Sequence, residues 1–390
     1  MKFPSIKNLA LTAVSIVAAL ALGEILLRQF VPVEPTIPDP ILGFRMNPKL
    51  PDWDEHGFRN PAVLDHADII AIGDSQTEGN NAAQEDAWPQ ELSRLAGKSV
   101  YQMAVGGYGP IQYLALSERG VELKPNVVLI GFYAGNDLSE ALSMAYGNEH
   151  WSRFRDPAFT PVKSEATGPS VRMLLQQGED PESVGFKSFQ IRTWLRSKSR
   201  LYTFLGRATR SVREKLNLAK SYDERNESIS EWLKSHPEVG FAYETEPIDS
   251  VLSPQYRYGA VNIDHPNTEE GWRISQDAFL EISKNLSERN ISLIIGMIPT
   301  KEMVYGQYMQ NSHENIPDSL RDFMIKENEL RSAFFAFCKA RHIDCIDTLP
   351  SLVGGLERKE KIYPTEMDGH PNAAGYKLIA KSFFDALVAR

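Results

Sequence analysis

The stretch ADIIAIGDSQTEG, residues 67–79, decides the fold. Its first half is an apolar run with the length of a buried β-strand. Gly73, Asp74 and Ser75 then arrive together where that strand should end, ahead of a helix-forming stretch. A serine placed there has two uses. Its hydroxyl caps the helix, as serine commonly does, or it is a nucleophile held at the carboxyl edge of a sheet.

Working outward, strands and helices alternate. SVYQMAV (99–105) reads as a second strand and PNVVLIGFY (125–133) as a third. The segments between them, EDAWPQELSRLAG and PIQYLALSERGVE, read as helices, with Pro110 suited to a first turn. The pattern resumes with a helix near 268–289, the strand ISLIIGMIPT, a helix near 318–341, the strand HIDCIDT and a last helix near 372–388. Such alternation predicts a parallel sheet of five strands with helices on both faces, a three-layer α/β/α sandwich. Residues 139–265 break it and read as a mostly helical insertion without strong strands. Residues 31–65, with the Pro-rich VPVEPTIPDP, read as a stiff linker and lead-in. The expected organisation is therefore an N-terminal segment over 1–30, the lead-in, and one catalytic-type domain over 66–390.

Bulk properties narrow the class. With 42% hydrophobic residues the chain can build a packed core. A net charge of −9 argues against a nucleic-acid partner, which calls for a basic face. At the N-terminus Lys2 and Lys7 precede LALTAVSIVAALALGEILL. Basic residues ahead of an apolar run predict an uncleaved membrane anchor or a cleaved signal, and both export the domain. An anchor would keep the lysines cytoplasmic and hold the domain outside, in the periplasm or the extracellular space. Cys338 and Cys345 form a disulfide or stay as two buried thiols; export permits the first.

Ligands of open parallel sheets sit beyond the carboxyl ends of the strands. Four polar clusters fall there: Gly73-Asp74-Ser75, Gly106-Gly107-Tyr108-Gly109, Gly135-Asn136-Asp137, and Asp368 with His370 in EMDGHPNAAGY. Each has a chemical use. A serine needs a base to take its proton, and His370 can be that base. Asp368 can orient the imidazole. The amides of Ser75 and Gly107 and the side chain of Asn136 can hold a tetrahedral oxyanion; one such donor is worth about 2.7–4 kcal/mol of transition-state stabilisation.

This ordered set resembles the SGNH (GDSL-type) hydrolases. GDSQTEG matches the first block, Gly107 in VGGYG the second, GND the third and DGHPNAAGY the last. The resemblance implies a flavodoxin-like sandwich and acyl-ester hydrolysis or transfer. It assigns Ser75, Gly107, Asn136 and His370 as the named residues, with Asp368 completing a triad. DEHGFRNP before the first strand and IPTKEMVYG after the fourth look like a membrane-anchored branch, similar to polysaccharide O-acetyltransferase and acetylesterase members. The likeness covers about residues 50–138 and 268–388. The Asp–His spacing is two where many members have three, and Gln102 and Ala104 stand where Asn and Gly are frequent.

Bland uses stand beside the sharp ones. Asn136 and Asp137 are candidate helix caps. Asp264 and His265 in NIDHPNTEEGW echo the last block, but Asn267 to Glu270 resembles a capping signal. Asp74, Tyr108, Lys301 and His265 are candidate substrate contacts; for Lys301, with Glu302, a local salt bridge is the alternative. The basic run at 192–215 suits an anionic surface or a solvated helix face. There is no G-x-S-x-G elbow, no complete phosphate-loop or dinucleotide fingerprint and no paired metal-ligand motif, so no cofactor and no metal is expected. The expected function is a serine esterase with an acyl-ester substrate. An O-acyltransferase or deacetylase on an acylated envelope glycan, or a silent glycan-binding protein, are the alternatives.

Overall fold

The structure, a computed structural model, describes residues 6–30, 35–162, 199, 201, 202, 204, 240–365 and 367–389. The described residues fall into two units. The smaller holds helix α1 (Ile6–Phe30) with Ser199, Leu201, Tyr202 and Phe204. Within it, the Glu24 carboxylate pairs with Arg28 and accepts the Ser199 hydroxyl at 2.8 Å and the Leu201 N–H at 3.0 Å. The expected membrane anchor is not supported. A charged pair interrupts the apolar run, and no helix among the described residues is long and apolar enough to cross a membrane. Most of the basic run at 192–215 lies outside the described residues.

The larger unit starts at Thr36. Its elements run β1 (Thr36–Asp39), β2 (Gly43–Met46), β3 (Ile69–Gly73), α2 (Ser75–Glu78), α3 (Trp88–Ala96), β4 (Val100–Ala104), α4 (Pro110–Gly120), β5 (Val127–Tyr133) and α5 (Asp137–Gly147). They continue with β6 (Phe241–Thr245), β7 (Ile248–Leu252), α6 (Pro254–Val261), α7 (Pro266–Ser287), β8 (Ser292–Ile298), α8 (Lys301–Asn311), α9 (Asp318–Arg341), β9 (Asp344–Asp347), α10 (Leu349–Glu357) and α11 (Ala373–Val388).

The expected five-stranded parallel sheet forms, in the order β4-β3-β5-β8-β9. This order, second-first-third-fourth-fifth, is the flavodoxin-like one, and it reverses direction beside β3. Continuous apolar sequence suits these strands because β3, β4 and β5 are buried along their whole length. Helices α3 and α11 meet over one face, where Trp88 stacks on Phe383 with ring centroids 4.4 Å apart. On the other face Phe132 of β5 packs against Phe279 of α7 and Phe334 of α9, at 5.5 and 5.2 Å.

One row of the sheet is made of glycine. Gly73, Gly131 and Gly296 are in register on β3, β5 and β8. A Cβ at Gly73 would lie 2.0 Å from Thr77 Oγ1, one at Gly131 2.5 Å from the same atom, and one at Gly296 2.4 Å from the Phe383 ring. The row is a shallow trough in which α2 and α11 lie close to the sheet. No larger residue fits without moving them.

Two stretches differ from expectation. The lead-in is not a linker from Thr36 on: β1 and β2 form an antiparallel hairpin. Asp39 Oδ1 closes its turn by accepting the Ile41 and Leu42 N–H groups at 2.9 and 2.8 Å, and Leu42 is buried. Pro38 is tolerated because, among the described residues, this ribbon pairs with no third strand. Within the insertion, β6 and β7 form a second hairpin, followed by α6. Cys338, late in α9, and Cys345, in β9, are joined by a disulfide with Cα atoms 6.1 Å apart.

Candidate active site

Ser75 is the first residue of α2, directly beyond β3. Its Oγ lies 2.8 Å from Nε2 of His370, and the imidazole Nδ1 lies 2.5 Å from Asp368 Oδ1. The same Asp368 oxygen accepts the His370 backbone N–H at 2.9 Å. The two-residue spacing therefore folds the aspartate back on the histidine as an Asx-type turn. Burial pushes the Asp368 carboxyl up, but the hydrogen bonds and charge of His370 outweigh it and hold it below the ordinary range.

Ser75 and His370 are 295 positions apart, and three bonds fasten their loops together. Gln76 Nε2 donates to Gly369 O at 3.4 Å, Asn81 Nδ2 to His370 O at 3.3 Å, and the Tyr376 hydroxyl to Asn80 O at 2.8 Å. Asn372 fixes the start of α11 by accepting the Ala374 and Gly375 N–H groups. The histidine thus sits on a short bridge between an anchored loop and an anchored helix.

The second and third clusters arrive at the same edge. Gly106 lies against Ser75: a Cβ there would come within 3.3 Å of the Ser75 Cβ. Its N–H donates to Glu78 Oε2 at 2.6 Å, which ties the glycine loop to α2. Gly107 adopts φ +84°, a left-handed conformation that favours glycine. The N–H groups of Gly107 and Ser75 have no acceptor among the described residues. Asn136 stands at the N-cap position of α5 without making a side-chain capping bond, and its side-chain amide lies near enough to Asp74 to favour the ionised carboxylate. An amide NH2 carries two hydrogens, so one stays available to an oxyanion.

Asp74 is fully buried and serves the site from behind. Its Oδ1 accepts the Gln76 N–H at 2.9 Å, and its Oδ2 lies 3.3 Å from Ser75 Oγ. Burial pushes its carboxyl up to about 6 against these bonds. Burial likewise raises the Glu78 carboxyl to about 7, opposed by the Gly106 N–H and Arg59.

The other candidate contacts go elsewhere. Asp74 caps rather than faces a substrate. Tyr108 is buried and its hydroxyl donates to Phe44 O at 2.6 Å. Lys301 is buried too, with Nζ 3.0 Å from both Ser250 Oγ and Val251 O, so it fastens β7 to α8 instead of lining a cleft. The Asp264–His265 pair separates: Asp264 binds Lys326 at 2.6 Å, and His265 Nδ1 caps α7 by accepting the Asn267 N–H. Asp137 is buried under Tyr113 and the Tyr133 N–H. No group of acidic, histidine or cysteine side chains suited to a metal occurs among the described residues.

Sequence reasoning missed the supporting residues. Arg59 donates to the carbonyls of Gly79, Glu78 and Ala82 at 2.7, 3.3 and 2.9 Å and so closes the C-terminal end of α2. Gln102 links this brace to β4: its Nε2 donates to Thr77 O at 2.8 Å, and its Oε1 accepts the Arg59 N–H at 3.2 Å. Arg257 of α6 packs its guanidinium against Gly369, where a Cβ would lie 2.3 Å from Nη2. Arg59 lies in the HGFRNP lead-in, and its nearness to the GDS block was the available signal; nothing local marks Arg257.

No protein-family model matches the chain, and no curated protein sequence matches it. Among solved structures, the chain is similar to a GDSL-like lipase from Bacteroides thetaiotaomicron at 11% identity and a TM-score of 0.34, over 82% of this chain and 87% of the other. It is similar to an acetyl xylan esterase at 11% identity and a TM-score of 0.34, over 82% of this chain and 98% of the other. At those scores neither likeness bears on the chemistry, which stands on the residues described above.

Proposed function

We propose that the protein is a serine esterase acting on acyl esters. The observation that carries this is the continuous Ser75–His370–Asp368 chain, with contacts of 2.8 and 2.5 Å. Ser75 Oγ attacks the ester carbonyl while His370 Nε2 takes its proton. The carbonyl oxygen, now negative, is held by the amides of Ser75 and Gly107 and the Asn136 side chain. His370 returns the proton to the departing alcohol. It then activates a water that releases the acid and restores Ser75. Asp368 stays ionised throughout and fixes the Nδ1–H tautomer.

We place the reaction outside the cytoplasm. The Cys338–Cys345 disulfide supports this, since such bonds persist in oxidising compartments. The basic-then-apolar N-terminus supports it as well.

Hydrolysis of 4-nitrophenyl acetate by the full chain tests the proposal. Wild type releases nitrophenol in proportion to enzyme, and Ser75→Ala falls to the uncatalysed rate. Equal turnover by the two proteins would overturn it. Transfer to a sugar acceptor is the second reading, and acceptor-dependent acyl release would distinguish it.

A further inference from the structure

We propose that Arg257 is a positioning residue for the base of the reaction: its guanidinium, seated against Gly369, holds the Asp368–Gly369–His370 turn and makes the β6–β7–α6 segment of the insertion a support for His370. The proposal rests on the esterase reading and adds a role for a segment that carries no motif. Gly369 is buried between two side chains. On one side Gln76 Nε2 donates to its carbonyl at 3.4 Å. On the other, a Cβ at Gly369 would lie 2.3 Å from Nη2 and 3.0 Å from Cζ of Arg257. The guanidinium therefore fills the space that a side chain would need. Gly369 is not among the positive-φ glycines, so the backbone itself would accept alanine there. His370 follows directly, so a shift of Gly369 is a shift of the imidazole.

Arg257 is itself held from α8. Glu302, fully buried, pairs through Oε2 with Arg257 Nε at 3.3 Å, and its Oε1 accepts the Ser253 N–H at the head of α6, also at 3.3 Å. The neighbouring Lys301 bonds Ser250 Oγ and Val251 O of β7. Ser250 Oγ in turn donates to Pro364 O at 3.4 Å, upstream of Asp368 on the same loop. At its far end α6 is tied to α7, where the Thr268 hydroxyl donates to Gly259 O at 2.7 Å. The Tyr133 ring, from the end of β5, lies 5.9 Å from the guanidinium carbon. Two buried, oppositely charged neighbours on α8 thus fix β7 and α6, and through them Arg257. A buried Arg–Glu pair is a poor source of stability because desolvation offsets its attraction, which points to a positional use.

Positioning of this kind has a kinetic signature. Attack by Ser75 needs His370 with every ester. A poorly leaving alcohol also needs the returned proton, whereas 4-nitrophenolate departs without it. A misplaced imidazole therefore costs more on an alkyl acetate than on 4-nitrophenyl acetate. A loss of folded protein costs the same on both.

The test measures kcat/KM of the full chain on ethyl acetate and on 4-nitrophenyl acetate. Gly369→Ala is made in the wild type and in an Arg257→Ala, Glu302→Gln background. The glutamine removes the charge that loss of Arg257 would strand and can still accept the Ser253 N–H. In the wild type, Gly369→Ala must displace the guanidinium or the turn. It is expected to lose about 10–100-fold on ethyl acetate, with the loss on 4-nitrophenyl acetate smaller by about threefold or more. In the second background the clash is gone, and the same substitution is expected to cost less than about threefold on either ester. Equal costs in the two backgrounds, no cost in the wild type, or equal losses on the two esters would overturn the role of Arg257 and leave the esterase reading intact. Absence of wild-type turnover on both esters would overturn the esterase reading and this role with it.

Discussion

One oxygen of Asp368 serves two donors of His370, the ring Nδ1–H at 2.5 Å and the backbone N–H at 2.9 Å. The aspartate therefore sets both the tautomer of the ring and the path of the chain that carries it. Asp368→Asn keeps the shape but lets the amide donate, which favours the wrong tautomer. We expect kcat to fall roughly 10³–10⁴-fold with little change in KM. Steady-state kinetics on 4-nitrophenyl acetate decide this, and a loss below tenfold would show that Asp368 does not orient the base.

Two glycines separate local strain from steric exclusion. At Gly107 a Cβ meets only the Phe44 ring at 3.7 Å, so Gly107→Ala is resisted by φ alone. The cost is about 1–2 kcal/mol, and the displaced N–H should lower kcat. At Gly73 a Cβ would lie 2.0 Å from Thr77 Oγ1, so Gly73→Ala must move α2 bodily. Urea unfolding together with kinetics should show a mildly destabilised, slow Gly107→Ala and a strongly destabilised, inactive Gly73→Ala. The reverse ranking would contradict the trough described above.

The Glu78 carboxyl gives a signed pH dependence. Burial raises it from 4.5 to about 7 in the folded chain. Between those values the folded state holds a proton that the unfolded state has lost, so stability falls as pH rises across the window. The effect is of order 3 kcal/mol at its limit. Glu78→Gln has nothing to titrate and still offers an oxygen to the Gly106 N–H. Its stability relative to wild type should therefore rise between pH 5 and pH 8, measured by urea midpoints. A difference that is flat with pH would place the Glu78 carboxyl at its ordinary value.

Arg59 holds three carbonyls at the end of α2 and touches neither the serine nor the histidine. Arg59→Ala takes the Arg59 bond from the Glu78 and Ala82 carbonyls and leaves Gly79 O with only the Ala82 N–H, at a cost of about 2–3 kcal/mol. Because α2 carries Ser75, the proposed nucleophile, kcat should fall as well. Arg59→Lys should restore little, since an ammonium lacks the planar fork that spans three acceptors. Thermal melts paired with kinetics test this, and full rescue by lysine would refute the brace.

The sheet was legible because its strands are buried on both faces and so appear as unbroken apolar runs. The meeting of Ser75, His370 and Asp368 was legible because each sits beside a glycine or a capping residue just past a strand or before a helix. The β1–β2 hairpin was hidden by Pro35, Pro38 and Pro40, which ordinarily mark a linker; its stability comes from Asp39 closing the turn and Leu42 packing inward. The β6–β7 hairpin was hidden because β6, FAYET, is only partly buried and ends in polar residues, so it forms no unbroken apolar run. Lys301 misled because a lysine just past a strand suggests a cleft, and only the fold shows β7 covering it. Arg257 could not be found at all, since its contact with Gly369 spans more than a hundred residues.

The most direct test of an activated serine is covalent capture. The full chain is treated with a fluorophosphonate probe, and the modified residue is located by mass spectrometry, with His370→Ala as the control. Labelling at Ser75 alone, lost in the control, is the predicted result. Absence of label on a folded protein, or label at Ser75 that persists without His370, would contradict the proposed mechanism.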